Sequence, residues 1–255
     1  MVPGNNTSSL FRRLLFLVCS IVLITISPYT LASSDKAISP PPSVDLEYVV
    51  RANYSAMSIG GSSAIHWRHT ADRYAIKTGA RANLLGNLIN TTSTGNITPE
   101  GLKPEKYTEK RRNRDATQTL FDHGKRTLTF SNAPHPFPFG EGIQDRDSIV
   151  WQLVSLVRAR PEILSEGKKL TFMVSGRKRI DQWVFQVIGE ETIQTMLGEV
   201  KAIHLFRQDK KGKTTEVWLA PEMEWYPVRL IFFDNKDLRL EQIIQKITPA
   251  ADNLN

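Results

Sequence analysis

Cysteine is almost absent from the sequence: Cys19 is the only one among 255 residues, and it lies in an apolar segment near the N-terminus. A disulfide-stabilised fold is therefore excluded, and so is thiol catalysis once that segment is removed. Histidines are few and scattered. The closest pair, His66 and His69, is predicted to point to opposite faces of a strand, which disfavours a shared metal ion. The sequence predicts neither a metal site nor a cofactor.

Sequence signatures of catalysis are missing as well. There is no Gly-x-Ser-x-Gly elbow, no Gly-x-Gly-x-x-Gly run and no Walker-type phosphate loop. The run Gly60-Gly61-Ser62-Ser63 lacks the second glycine of the elbow and is interpreted as a hairpin turn. Acidic pairs that could do acid–base chemistry are Asp145 with Asp147, Glu190 with Glu191, and Glu222 with Glu224. A helix start, opposite strand faces and a turn explain these pairs respectively, so we expect no enzyme activity.

Long hydrophobic runs are limited to one segment, Leu14 to Ile26, which follows two arginines. Its 13 residues fall short of the ~20 that a membrane-spanning helix needs, and they fit the core of a secretory signal peptide. Cleavage after Ala32 makes residues 1–32 the predicted signal peptide and residues 33–43 a flexible, proline-rich lead. We therefore expect a periplasmic protein with no stable transmembrane span.

Most of residues 44–248 alternate apolar and polar side chains with a period of two, which is typical of half-buried antiparallel strands. In the first such segment Leu46, Tyr48 and Val50 share one face. Short runs with glycine or asparagine separate the segments and predict an up-and-down meander. The sequence thus predicts a single β-rich domain, followed by a C-terminal tail at residues 249–255.

Two stretches depart from this period. Residues 147–158 place apolar side chains at helical spacing, with Asp147 as the N-cap, and predict the principal helix. Residues 82–95 show a weak pattern and are interpreted as a loop or a mobile pair of strands. The predicted fold is mainly β: a long antiparallel meander that forms a curved sheet or half-barrel around one principal α-helix.

Large aromatic residues are spread through the predicted strands and helix. The candidates to line a ligand cavity are Trp151, Trp183, Trp218 and Phe232. Residues 216–220 and 226–233 are apolar on both faces, so both faces must be covered by the helix, a partner protein or a bound acyl chain. The sequence favours a non-catalytic binding or carrier protein for an apolar or amphiphilic envelope ligand. The alternative is an envelope structural or assembly factor that acts through protein–protein contacts.

Basic residues outnumber acidic ones by 33 to 26, for a net charge of +7. Nucleic acid is disfavoured as a partner, because the predicted export separates the protein from it and no aromatic residues interleave the charges. An anionic envelope component, such as a lipid headgroup, fits better. Arg111 and Arg229 are the candidates to contact an anionic headgroup at the mouth of the cavity.

Several local patterns occur in a fixed order along the chain. They are Gly101 to Tyr107 followed by Lys110-Arg111-Arg112, Gln144 to Ser148, and Glu216 to Pro221 followed by Trp225 to Arg229. Over residues 45–247 the chain resembles a family of exported bacterial proteins known as domain-of-unknown-function family 3108. The resemblance implies an envelope location and a fold similar to the open half-barrel of lipoprotein carriers. It implies no catalytic residues, because the family has no established activity.

Overall fold

The computed structural model describes residues 37–54, 57–83, 85–133, 135–234 and 238–254. The predicted signal peptide lies outside the described residues. Within the described part of the chain, no helix combines the length and the apolarity that crossing a membrane requires.

The described residues form fourteen strands and one α-helix. In chain order the strands are β1 (Val44–Tyr54), β2 (Met57–His69), β3 (Arg73–Ala82), β4 (Gly86–Thr98), β5 (Gly101–Arg111), β6 (Thr117–Asp122), β7 (Thr127–Phe130), β8 (Phe137–Pro138), β9 (Lys169–Ser175), β10 (Ile180–Thr195), β11 (Gly198–Gln208), β12 (Thr214–Leu219), β13 (Pro227–Phe233) and β14 (Leu238–Pro249). The helix α1 is Ser148–Ala159, and 3₁₀ turns occur at Pro161–Leu164 and Pro221–Met223.

All fourteen strands belong to one antiparallel sheet, in the order β8 to β1 followed by β14 to β9. The first and last strands pair with each other, so β8 and β9 form the two edges and α1 lies in the connection between them. The edges approach each other near the start of the helix. There Gln144 bridges to Val174, and Arg177 reaches Glu109 on β5 at 3.1 Å. The predicted curved meander around one principal helix is confirmed.

Helix α1 forms where its apolar stripe meets the inner face of the sheet. Ile149, Leu153 and Val157 are fully buried, and the helix ends before Pro161, which cannot continue it. The predicted N-cap needs a correction. Asp147 occupies the capping position but its side chain makes no capping bond. The cap is instead Asp145, whose Oδ1 accepts hydrogen bonds from the amides of residues 147 and 148 at 2.9 and 2.8 Å.

The core is an aromatic stack between the helix and the first strands. Trp151 of α1 lies on Trp67 of β2 with ring centroids 4.5 Å apart and an interplanar angle of 9°. Tyr74 continues the stack on the other side of Trp67 at 5.8 Å, and Tyr226 meets Trp151 edge-on. Trp151 is 1% exposed, so it is a core residue and is not available to line an open cavity.

One local interpretation of the sequence is wrong, and of a second only the alternative of paired strands holds. The glycine-rich run at 60–63 is the middle of β2, where the bare backbone of Gly61 lets β3 approach: a Cβ there would lie 2.2 Å from the Arg81 carbonyl oxygen. The weakly patterned residues 82–95 hold most of β4, a strand of 13 residues. Small polar residues in β4 hide the apolar–polar alternation in the sequence. The strand forms because it pairs with β3 and β5.

Residues 38–42 of the predicted flexible lead are hydrogen-bonded to the domain. The Trp67 indole donates to the Pro41 carbonyl at 3.0 Å, and the Tyr226 hydroxyl donates to Pro42 at 2.9 Å. The amide of Ser39 donates to the Ser155 carbonyl near the end of α1. The segment is therefore tied to the same aromatic groups that form the core.

Truncation of the stacked tryptophan tests this description of the core. We expect Trp151→Ala to lower the free energy of unfolding by about 3–5 kcal/mol, because it removes a fully buried ring and leaves a cavity. Urea denaturation measures this. The control Leu120→Ala removes a side chain that is 48% exposed and should change stability by less than about 0.5 kcal/mol. A loss as small as the control's would show that Trp151 is not part of the core.

Candidate ligand-binding site

The inner face of the sheet is covered more completely at one end than at the other. At the level of α1, the inner side chains of Leu46 and Ile76 are fully buried. Further along the same and neighbouring strands, the inner side chains of Ala52, Ile59 and Ala80 are only half-buried. The helix thus covers one half of the concave face and leaves apolar groups of the other half in contact with solvent. We call this second region the open half.

Two of the aromatic residues predicted to line a cavity lie in the open half. Cross-strand register places Arg207 opposite Thr215, Thr215 opposite Phe232, and Phe232 opposite Leu240, all on the inner face. Phe232 is 37% exposed. Trp183 is half-buried and lies beside Arg207, whose guanidinium carbon is 4.0 Å from the ring centroid.

The sequence analysis missed Arg207, although a signal was present. In β11 the side chains of Ile203 and Leu205 point to the inner face. The next inner position, two residues later, is occupied by the charged Arg207. A charge at a position where the period demands an apolar residue indicates either a buried ion pair or a binding site.

A cluster of three arginines around one acid lies elsewhere on the inner face, and we call it the Glu109 cluster. Arg111 donates to Glu109 at 2.6 Å and Arg177 at 3.1 Å, and Arg146 contacts the other carboxylate oxygen. The cluster joins β5, the segment before the helix start and the turn between β9 and β10. It therefore ties the β9 edge of the sheet to an interior strand of the other half.

The Glu109 cluster carries more positive than negative charge. Burial alone would raise the pKa of Glu109, but the hydrogen bond from Arg111 and the charges of the surrounding guanidinium groups hold it below its ordinary value. Burial and the neighbouring charge of Arg111 lower the pKa of Arg177. Three cations face one anion, and the side chains of Arg111 and Arg177 are 40% and 42% exposed. Arg111 and Arg177 therefore present part of their guanidinium groups to solvent.

Two acids, the fully buried Asp145 and the half-buried Asp147, lie behind this cluster at the helix start. Asp145 accepts a hydrogen bond from Ser93 at 2.5 Å, and Thr91 donates to Asp147. Burial, followed by the charge of Asp145, raises the pKa of Asp147 to about 7. Both carboxyl groups are held by the strand and the helix end, so they serve the architecture of this end of the site.

Trp218 and Arg229 do not line the concave face. Register places them on its outer side, where Trp218 stacks on His204 with centroids 4.0 Å apart and Arg229 covers the indole at 4.7 Å. Arg229 is paired with Glu241 at 2.8 Å. The chain thus covers the outer face of this apolar strand with its own side chains, and Trp218 is only 3% exposed.

The outer face also carries a groove of about 450 Å³ across β1 to β4. Its charged groups pair mainly with one another: Asp45 accepts from His66 at 2.7 Å and from Arg68 at 2.6 Å, and Lys246 lies 3.5 Å from Glu47. Because these charged groups are already paired, the apolar open half is the better candidate site. In the described residues no group of three or more His, Cys, Asp or Glu side chains is arranged to hold a metal ion.

Removing the shared acid tests the Glu109 cluster. We expect Glu109→Gln to lower the free energy of unfolding by about 3–5 kcal/mol, because three guanidinium groups lose their buried counter-ion. Chemical denaturation is the measurement. Glu105→Gln breaks an exposed pair with Arg73 and should cost at most about 1 kcal/mol. Equal effects of the two substitutions would contradict the assigned role.

The raised pKa of Asp147 predicts a pH dependence of stability. Between its ordinary value of 3.8 and about 7, the folded state keeps a proton that the unfolded state releases. The free energy of unfolding should therefore fall as pH rises through this window. Denaturation curves from pH 4 to 8 should show a smaller fall for Asp147→Asn, whereas the exposed control Asp115→Asn should match the parent protein. An unchanged slope in Asp147→Asn would refute the prediction.

Comparison with known proteins agrees with this architecture. A β-barrel-like protein of domain of unknown function DUF1849 from Brucella abortus matches with a TM-score of 0.54 at 10% identity, over 84% of this chain and all of the other. This likeness shows the fold alone. A LolA superfamily protein from Nitrosomonas europaea matches at 10% identity with a TM-score of 0.30, over 85% of this chain and 90% of that one, which is too low to support an argument.

No curated protein matches the sequence. The family described as protein of unknown function (DUF3108) matches residues 47–241, which is most of the chain and includes the Glu109 cluster and the open half. The chain therefore belongs to the DUF3108 family.

Proposed function

We propose that the protein is an exported, non-catalytic binding or carrier protein for an amphiphilic ligand of the cell envelope. The observation that carries this proposal is the half-filled concave face, where apolar side chains such as Phe232 and Ile59 remain partly exposed. A curved sheet normally fills its concave side with its own side chains. Here the helix stops half-way, and an apolar chain of a ligand would cover the remainder.

Charge favours an anionic group on that ligand. The Glu109 cluster has three guanidinium groups for one carboxylate, and Arg111 exposes two-fifths of its side chain. Guanidinium groups bind carboxylates and phosphates through paired N–H donors. We therefore place Arg111 in contact with an acidic headgroup, while the apolar part of the ligand lies on the open half. Trp183 and Phe232 remain candidates to contact the apolar part.

Export is part of the proposal and rests on the N-terminal sequence. Two arginines, a short apolar run and a small residue at position 32 favour a cleaved signal peptide. A non-catalytic role is supported by the uses already found for the buried acids. Asp145 caps the helix, and Glu109 holds three arginines.

A second candidate is an envelope assembly factor that acts through protein contacts. The supporting observation is the turn of the β10–β11 hairpin, where Met196 is 63% exposed and Leu197 is 44% exposed. Adjacent exposed apolar side chains at a hairpin tip are suited to insertion into a partner's groove. In-cell crosslinking from position 196 would yield one reproducible protein adduct if this candidate is correct.

Native mass spectrometry of the protein, purified without detergent from its own cells, tests the binding proposal. We expect a stoichiometric small-molecule adduct that organic extraction removes. Phe232→Asp should reduce the occupancy at least tenfold, because it places a charge on the apolar surface that the ligand covers. Leu120→Asp alters a similarly exposed apolar residue outside the open half and should retain the adduct. Adduct-free parent protein, or equal occupancy in both variants, would contradict the proposal.

A further inference from the structure

Arg207 is the most deeply buried arginine on the inner face of the open half. It is 7% exposed, and burial lowers the pKa of its guanidinium group. A buried cation is strongly unfavourable unless an anion or several hydrogen bonds compensate it. The group that compensates the buried charge of Arg207 therefore bears on function as well as on stability.

Other half-buried arginines of this fold have carboxylate partners. Arg68 pairs with Asp45, Arg146 with Glu109, and Arg229 with Glu241. No carboxylate lies within 4.0 Å of Arg207 among the residues that the structure describes. Its hydrogen-bond partner is the Thr215 hydroxyl at 3.5 Å, a long and weak contact.

No carboxylate contacts Arg207 directly, although the charges of Asp209 and Asp181 act on it from a greater distance. Its guanidinium carbon is 4.0 Å from the centroid of the Trp183 ring, so the ring covers one side of the group. The Thr215 hydroxyl adjoins it, and Phe232 is the next residue across the sheet on the same face. A cation, a hydroxyl and two aromatic side chains thus share one small region of the open half.

We propose that Arg207 and Thr215 form an oxyanion-binding site that takes a carboxylate or phosphate group of the ligand, with the apolar chain of the ligand lying against Phe232. The inference rests on the proposed function, because it places the same ligand on the open half. The inference goes beyond the proposed function because it assigns an acidic group of the ligand to a buried position, separate from the exposed headgroup contact at Arg111.

This site predicts opposite effects on stability and on binding. If Arg207 awaits an anion, its charge destabilises the unliganded protein, and Arg207→Met should leave the melting temperature unchanged or raise it. If Arg207 is only a packing residue on Trp183, the same substitution should lower the melting temperature. The matched control is Arg179→Met, since Arg179 is exposed and paired with Asp181 at 2.8 Å.

Calorimetric titration with decanoate, decyl phosphate and decanol measures the binding. We expect the delipidated parent protein and Arg179→Met to bind at least one of the two acids at least tenfold more tightly than the alcohol. In Arg207→Met this preference should fall at least fivefold, and what remains is the contribution of the exposed Arg111. A tighter fit of decanoate than of decyl phosphate, or the reverse, identifies the carboxylate or the phosphate as the natural group.

The outcomes separate this inference from the proposed function. Binding of all three compounds with no preference for the acids, or an acid preference that Arg207→Met leaves undiminished, overturns the oxyanion site alone. No binding of any compound overturns both. If Arg207→Met lowers the melting temperature, Arg207→Lys is the deciding variant, because it keeps the charge but loses the forked donor pair. An acid preference that is reduced at least fivefold in Arg207→Lys supports the site. An unchanged preference overturns it.

Discussion

The packing of α1 against the first strands is the interaction on which the rest of the structure depends. A single antiparallel sheet of this length has an apolar inner face that must be covered, and the Trp67–Trp151 stack supplies the cover at one end. Because α1 lies in the connection between the two edge strands, the same helix also draws the edges together. The position of the helix then decides which inner side chains are buried and which remain accessible.

Charge is distributed on the inner face in a way that packing alone does not explain. The Glu109 cluster ties the helix start to both halves of the sheet, yet it retains more guanidinium groups than carboxylates. Arg207 is buried on the same face without an acidic partner among the described residues. Folding stability would favour neutral side chains at such positions. Their presence beside exposed apolar groups is consistent with a surface adapted to an amphiphile.

Strand β12 is apolar on both faces, and other side chains of the same chain cover its outer face. Trp218 is covered by the His204 ring and the Arg229 guanidinium group, and its indole donates to Glu191 at 3.0 Å. His204 contacts Glu191 and Glu216 through its two ring nitrogens. Polar side chains with long or flat apolar parts therefore cover the tryptophan. A bound ligand is not required to explain this side of the sheet.

The sequence by itself determined the antiparallel meander and the helix, because period-two and helical spacing record which face of an element is buried. It could not assign Trp218, since a strand that is apolar on both faces has no period. It also could not find the Glu109 cluster or the Arg207 site, whose members come from strands and turns far apart in the chain. Only the tertiary structure, by pairing β1 with β14 and stopping α1 half-way along the concave face, decided which residues meet and which remain open to a ligand.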